Sequence, residues 1–272
     1  MAAASSNDQQ LDTSVAALDP IWDAVRIEAT AAAEQEPVLG GFVFGTILSS
    51  DTLDAAIIQR VAQRLDHRDV EAGAIQQVFR ELLADHPSIG RAFRADMAAV
   101  FDRDPACSRY IEPLLYFKGF HALVTHRFAH VLWHAGRRDF ALYLQSQASR
   151  IYSVDIHPAA QVGIGIMLDH AHSLVFGETC RIGDNVSILH GVTLGGTGKV
   201  GGDRHPTIGD NVLIGAGAKV LGNIVIGTCS RIAAGSVVLK DVPSCKTVAG
   251  IPAVVIGDAG CPEPARSMEH RF

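Results

Sequence analysis

Between residues 156 and 238 an aliphatic or aromatic side chain returns on a six-residue beat. The positions are Ile156, Val162, Leu168, Phe176, Ile182, Ile188, Leu194, Ile208, Ile214, Val220, Ile226, Ile232 and Val238. All steps are six except two, of eight residues from Leu168 to Phe176 and of fourteen from Leu194 to Ile208. A six-residue period marks a parallel β-helix. Each hexapeptide gives a short strand and a turn, and three of them close one triangular coil. The aliphatic residue points inward and stacks on its counterpart about 4.8 Å away in the next coil. The fourteen-residue step is then a hexapeptide plus an eight-residue excursion, within "GTGKVGGDRHP", that carries Arg204 and His205. Loops held on a rigid scaffold are where chemistry usually sits.

Upstream of Arg150 the period is helical. Asp19 and Pro20 read as the N-cap and first turn of a helix. Ile75, Val78, Phe79, Leu82 and Leu83 form the i, i+3, i+4, i+7, i+8 stripe of an amphipathic one. "EPLLYFKGFHALVTHRFAHVLWHAG" reads as one longer helix closed by Gly136, and "RRDFALYLQSQASR" as another. His121, His126, His130 and His134 fall on that long helix as packing and surface residues, with no Cys or carboxylate to complete a tetrahedral metal set. The expected fold class is α+β: a tail over 1–18, an all-α domain over 19–153, a β-helix over 154–243, and an irregular cap and tail over 244–272.

Composition excludes several classes of function. The chain has 272 residues and a formal charge of −6, with no basic tract, so nucleic acid is not an expected partner. The start, "MAAASSNDQQLDTS", has no apolar signal core, and no window approaches the roughly 20 apolar residues of a membrane span. Cys107, Cys180, Cys229, Cys245 and Cys261 are odd in number and lack a C-x-x-C pair. That reads as reduced thiols of a cytoplasmic protein, with no disulfide framework and no metal site.

Three units per coil allow side chains to be stacked by arithmetic. His170 lies two places after Leu168, and its counterparts in the next coils are His190, Ala216 and Ala234. A base at one end of a bare groove suits a long, thin ligand. Asp155, just before Ile156, is expected beside the corner that carries His170, where a carboxylate fixes the imidazole tautomer and stabilises its charged form. His157 and His172 read as corner residues and His190 as a neighbour of the base.

Three stretches, "VDIHPAAQVGIGIMLDHAH", "GETCRIGDNVSILHGVTLGGTGKVGGDRHPTIGDNVLIGAGAKVLGN" and "AAGSVVLKDVPSCKTVAGIPA", together with "DRDPACSRYIEPLLYFKGFHAL", resemble the serine acetyltransferase family. The resemblance implies a left-handed prism that transfers acetyl from acetyl-CoA to L-serine, giving O-acetyl-L-serine and CoA in cysteine biosynthesis. It implies His170 as general base with Asp155 as its partner, Asp104 and Asp169 for the serine ammonium, and Arg204 with His205 for the carboxylate. For coenzyme A it implies Gly196, Ala216, Ala234 and Lys240. Acetyl-CoA enters as a substrate, and no permanently bound cofactor is expected. L-cysteine is implied as an inhibitor, and a homotrimer, doubled into a hexamer by the helical domain, as the assembly. The chain departs from the family pattern at Val254, usually basic, and at His172-Ser173, usually a small hydroxyl residue and glycine. It also ends in Phe272, where the family often has the isoleucine that docks into O-acetylserine sulfhydrylase. The alternatives are another hydroxyl acceptor on the same prism, or a zinc enzyme of the gamma carbonic anhydrase type using His170, His172, His190 and His205.

Overall fold

A computed structural model describes residues 19–198 and 201–269; the expected N-terminal tail and the terminal Phe272 lie outside them. Among the described residues eight α-helices come first, with a 3-10 turn (Pro37–Leu39) and a π turn (Phe44–Leu48) on either side of the second: α1 (Pro20–Gln35), α2 (Gly40–Val43), α3 (Leu53–Leu65), α4 (Ala72–Asp85), α5 (Ser88–Arg103), α6 (Ile111–Leu115), α7 (Lys118–His134) and α8 (Arg138–Tyr152). The Asp19 carboxylate accepts the Trp22 N–H at 3.3 Å and so caps α1. Ile75, Phe79 and Leu82 of the α4 stripe are buried.

The single helix expected over 112–136 is two. It breaks at Tyr116-Phe117 because side chains satisfy the orphan carbonyls of α6. Arg60 donates twice to Leu115 O, at 3.0 and 2.7 Å, and His121 Nε2 bonds Leu114 O at 2.7 Å. The break frees Lys118 and Gly119 to open α7 against the prism. Gly136, with φ +79°, follows α7 as expected.

Ser153, left-handed at φ +58°, turns the chain from α8 into the prism. The short strands are β1 (Val154–Ile156), β2 (Gln161–Val162), β3 (Met167–Leu168), β4 (Leu174–Phe176), β5 (Arg181–Ile182), β6 (Ser187–Ile188), β7 (Thr193–Gly195), β8 (Thr207–Ile208), β9 (Leu213–Ile214), β10 (Lys219–Leu221), β11 (Val225–Ile226), β12 (Arg231–Ile232) and β13 (Val237–Val238). They form three parallel faces, β1-β4-β7-β10-β13, β2-β5-β8-β11 and β3-β6-β9-β12. The register stacks Ile156, Phe176, Leu194, Val220 and Val238 in one column and Leu168, Ile188, Ile214 and Ile232 in another. Val162, Ile182, Ile208 and Ile226 make the third. All of these are buried except Val162, which is half-buried. This is the expected parallel β-helix, of about five turns.

The repeat runs further than the six-residue beat reveals. Val242 bridges to Ile226, and β14 (Lys246–Gly250) places Val248 under Ile232. Here the spacing shortens to four residues after Val238, which hides the last turn from a count of sixes. The segment expected to be an irregular cap instead holds β14, β15 (Ala253–Asp258) paired antiparallel to it, and the short α9 (Pro264–Ser267).

One apolar core runs from Trp22 through the helices and down the prism to Val248. A buried ion pair helps lock the two parts. Arg127 on α7 donates to Asp96 on α5 at 2.6 and 2.9 Å and to Gly163 O at 2.9 Å, and Asp96 accepts the Ile166 N–H. Every formal charge there has a partner, the condition under which burial of ions is tolerated.

Candidate active site

The eight-residue step makes an enlarged corner between β3 and β4. His170, Ala171 and Ser173 there have φ of +54°, +48° and +55°. His170 is carried outward, with its side chain 74% exposed, and Asp169 Oδ2 lies 3.8 Å from its Nε2. The first turn of α7 and the end of α5 close over this corner, leaving a cavity of about 430 Å³ whose walls include Asp104, Lys118, Met167, Asp169 and His170. Asp104 follows the last residue of α5, and its carboxylate accepts the Ala106 N–H at 2.8 Å. Two carboxylates and an imidazole therefore converge from segments 65 residues apart or more.

Within the chain, Asp155 does not meet His170. Its Oδ1 accepts the Gln145 amide at 2.6 Å, and the carboxylate paired with His170 is Asp169. The extra residues of the corner explain the difference: they take the imidazole out to solvent, while Asp155 is tied to α8. His190 sits one coil below His170 with ring centroids 5.7 Å apart, and Ala216 and Ala234 continue the column, half-buried and exposed.

The excursion is anchored at the next corner, after β4. Gly177 is required there: a Cβ on it would lie 2.0 Å from the His205 ring. His205 Nδ1 accepts the Thr179 N–H at 3.2 Å, so Nε2 carries the proton. Burial, and then the Arg204 charge, lower the His205 pKa, which keeps the ring neutral at pH 7. It can donate one hydrogen bond but adds no charge. The charge comes from Arg204, whose Nη2 is 2.5 Å from Glu178 Oε2. That bond holds the Glu178 carboxyl below its usual range. Gly196 and the exposed Lys240 lie at this same corner of the prism, Lys240 after β13.

The sequence-derived residues thus form two groups. Asp104, Asp169, His170, Ala216 and Ala234 lie along one edge; Gly196, Arg204, His205 and Lys240 lie along the next. The face between them is one strand wide, about 10 Å for three residues. Glu178, Thr179, Gln145 and Lys118 went unassigned in the sequence. Glu178-Thr179 stands in the quoted "GETC", but only the packing of the excursion onto it gives it a role.

Comparison with known proteins fits this geometry. Residues 21–125 match the family described as "Serine acetyltransferase, N-terminal", and residues 205–240 match "Bacterial transferase hexapeptide (six repeats)". Serine acetyltransferase 4 of Arabidopsis thaliana is 50% identical over 96% of this chain and 73% of its own length. The serine acetyltransferase of Salmonella typhimurium is 48% identical over 94% of this chain and 93% of its own. The chain belongs to the serine acetyltransferase family. Among solved structures, the Brucella abortus serine acetyltransferase in complex with coenzyme A is 58% identical with a TM-score of 0.89, covering 90% of this chain and 98% of that one. A serine acetyltransferase in complex with cysteine is 46% identical with a TM-score of 0.91, covering 93% and 98%. The Neisseria gonorrhoeae enzyme in complex with serine is 47% identical with a TM-score of 0.86, covering 88% and 98%. Among the described residues no group of three or more His, Cys, Asp or Glu is arranged to hold a metal, and no helix is long and apolar enough to cross a membrane.

Proposed function

We infer that this chain is a serine O-acetyltransferase, moving acetyl from acetyl-CoA to the L-serine hydroxyl in cysteine biosynthesis. The observation that carries the reading is the cavity holding Asp104, Asp169 and His170, in a chain about half identical to serine acetyltransferases over almost its whole length. The two carboxylates hold the ammonium of serine, which places its hydroxyl at the exposed imidazole of His170. The imidazole takes the hydroxyl proton as the oxygen attacks the thioester carbonyl. The N–H groups near Gly196 face the developing oxyanion. When the tetrahedral intermediate collapses, the C–S bond breaks and the same proton passes from His170 to the CoA sulfur. Asp155 orients the imidazole in the assembled enzyme.

Arg204 supplies the fork for the serine carboxylate, which exchanges places with Glu178. Neutral His205 adds a single donor. A neutral acceptor such as a sugar hydroxyl needs no such clamp, and this favours an amino acid. The Ala216–Ala234 edge takes the pantetheine arm and Lys240 the diphosphate.

The two groups of residues sit on adjacent edges of one prism, and a homo-oligomer unites them: the His170 edge of one protomer faces the Arg204 edge of its neighbour. This supports a trimer of prisms, with the helical domain as the surface that doubles it. L-cysteine carries both charged groups of serine and occupies the same clamp as an inhibitor. A docking of the C-terminus into O-acetylserine sulfhydrylase rests on residues outside those described.

The test is thiol release from acetyl-CoA on adding L-serine. Active wild-type protein and a His170→Ala variant slowed about 100- to 10,000-fold support the reading. No thiol release, or normal turnover without the imidazole, overturns it.

A further inference from the structure

The corner that carries His170 is held in a conformation its residues disfavour. Three of the four residues from His170 to Ser173 are left-handed without being glycine. Such backbone persists only where its surroundings over-determine it. Part of the hold is backbone: Gly191 N–H donates to His172 O at 2.6 Å, Asp169 N–H to Ile188 O at 2.9 Å, and Leu174 N–H to Ser153 O at 3.2 Å. Part is packing, since Ala171 is fully buried under Gly119. A side-chain bond completes it. Lys118 Nζ, at the start of α7, lies 2.5 Å from His172 Nδ1.

An ammonium can only donate, so Nδ1 is the acceptor and the His172 proton is on Nε2. Lys118 lines the cavity with Asp104, Asp169 and His170, whereas His172 is exposed, two residues beyond the last of these walls. The bond therefore spans the two parts of the chain beside the cavity, two residues from the base. We propose that Lys118 and His172 are a positioning pair: their hydrogen bond fastens the strained 169–173 corner to the first turn of α7 and so aims the His170 imidazole into the cavity shared with Asp104 and Asp169. The proposal rests on the reading of His170 as the base. Neither side chain takes the proton; they fix where the group that does must stand.

The test is steady-state thiol release by the full chain, comparing wild type with His172→Ala, His172→Asn, Lys118→Met and the double variant Lys118→Met/His172→Ala. Wild-type protein that releases no thiol with L-serine would remove the acetyltransferase reading, and the proposal with it; the variants then decide the proposal alone. A misaimed base costs up to about 100-fold, so His172→Ala and Lys118→Met should each lower kcat roughly 10- to 100-fold, with both KM values within about twofold. His172→Asn puts an amide oxygen where Nδ1 stood and should recover kcat to within about threefold of wild type. Because the two residues make one bond, the double variant should be about as slow as the slower single variant. Wild-type kcat in His172→Ala, an Asn variant as slow as the Ala variant, or losses that multiply in the double variant would each overturn the pair. So would a rise in serine KM alone in Lys118→Met, which would make the lysine a substrate ligand.

Discussion

Gly119→Ala puts one methyl group at the contact between the helical domain and the corner that carries His170. Its Cβ would lie 2.2 Å from the Leu168 carbonyl oxygen and 3.1 Å from the Ala171 methyl. A relaxed carbon–oxygen contact is about 3.3 Å, so one side must retreat by about 1 Å. Two effects oppose each other. Alanine favours a helix over glycine by about 1 kcal/mol, while overpacking a close contact costs about 1–3 kcal/mol. The clash wins, because the atom struck is backbone: Met167 and Leu168 are paired with Ser187 and Ile188, and the residue that follows, Asp169, donates to Ile188 O. The net loss, up to about 2 kcal/mol, lowers Tm by up to about 8 °C for a chain of this size. The larger effect is on rate. A 1 Å misplacement of a positioned group costs about 100-fold, so kcat/KM for serine should fall by about that factor while the acetyl-CoA KM holds. Thiol-release kinetics and a thermal melt read both. Gly73→Ala, in the first turn of α4 with nothing within 4 Å, is the control and should leave the rate unchanged. A Gly119→Ala enzyme with wild-type kcat/KM would refute the claim that α7 sets the position of the base.

Three further outcomes are expected. Arg204→Lys removes the two-pronged fork and leaves Glu178 with a point charge; it should raise the serine KM by about 30- to 300-fold, about 2–3.5 kcal/mol, with the acetyl-CoA KM little changed, and equal loss for both substrates would take Arg204 out of the serine site. L-cysteine should inhibit competitively against L-serine, and a rate unmoved by cysteine well above the serine KM would contradict a shared clamp. Acid should weaken the helical domain, because burial pushes His121 down to about 3 and His126 well below its ordinary 6.5, with Nδ1 of each lacking a partner among the described contacts. The unfolded chain takes up these protons first, so stability is intact above about pH 6.5 and is lost as pH falls from there toward 3. At about 1.4 kcal/mol per pH unit, His121 alone removes roughly 2 kcal/mol between pH 6.5 and 5, and His126 adds to the loss in the same direction; thermal melts read this, and His121→Gln should remove the His121 share.

The six-residue beat by itself determined the prism, because a coil of three short strands leaves one inward position per strand and only an apolar side chain fills it. That is also why the sequence alone stacks His170, His190, Ala216 and Ala234 in one column. The motif around "MLDHAH" and "GGDRHP" carried the family, and with it the acceptor. Tertiary structure decided what no period encodes. The helix over 112–136 breaks because Arg60, distant in sequence, takes the Leu115 carbonyl. The last turn continues through Val242 and Val248 because a shortened step still reaches the same columns. Within one chain Asp155 holds Gln145, and the carboxylate beside His170 is its neighbour Asp169, because two extra residues swing the corner outward. Arg204 rests on Glu178, and Lys118 on His172, because folding brings together groups 26 and 54 residues apart. Such contacts depend on where side chains end in space, and a linear pattern records only where they begin.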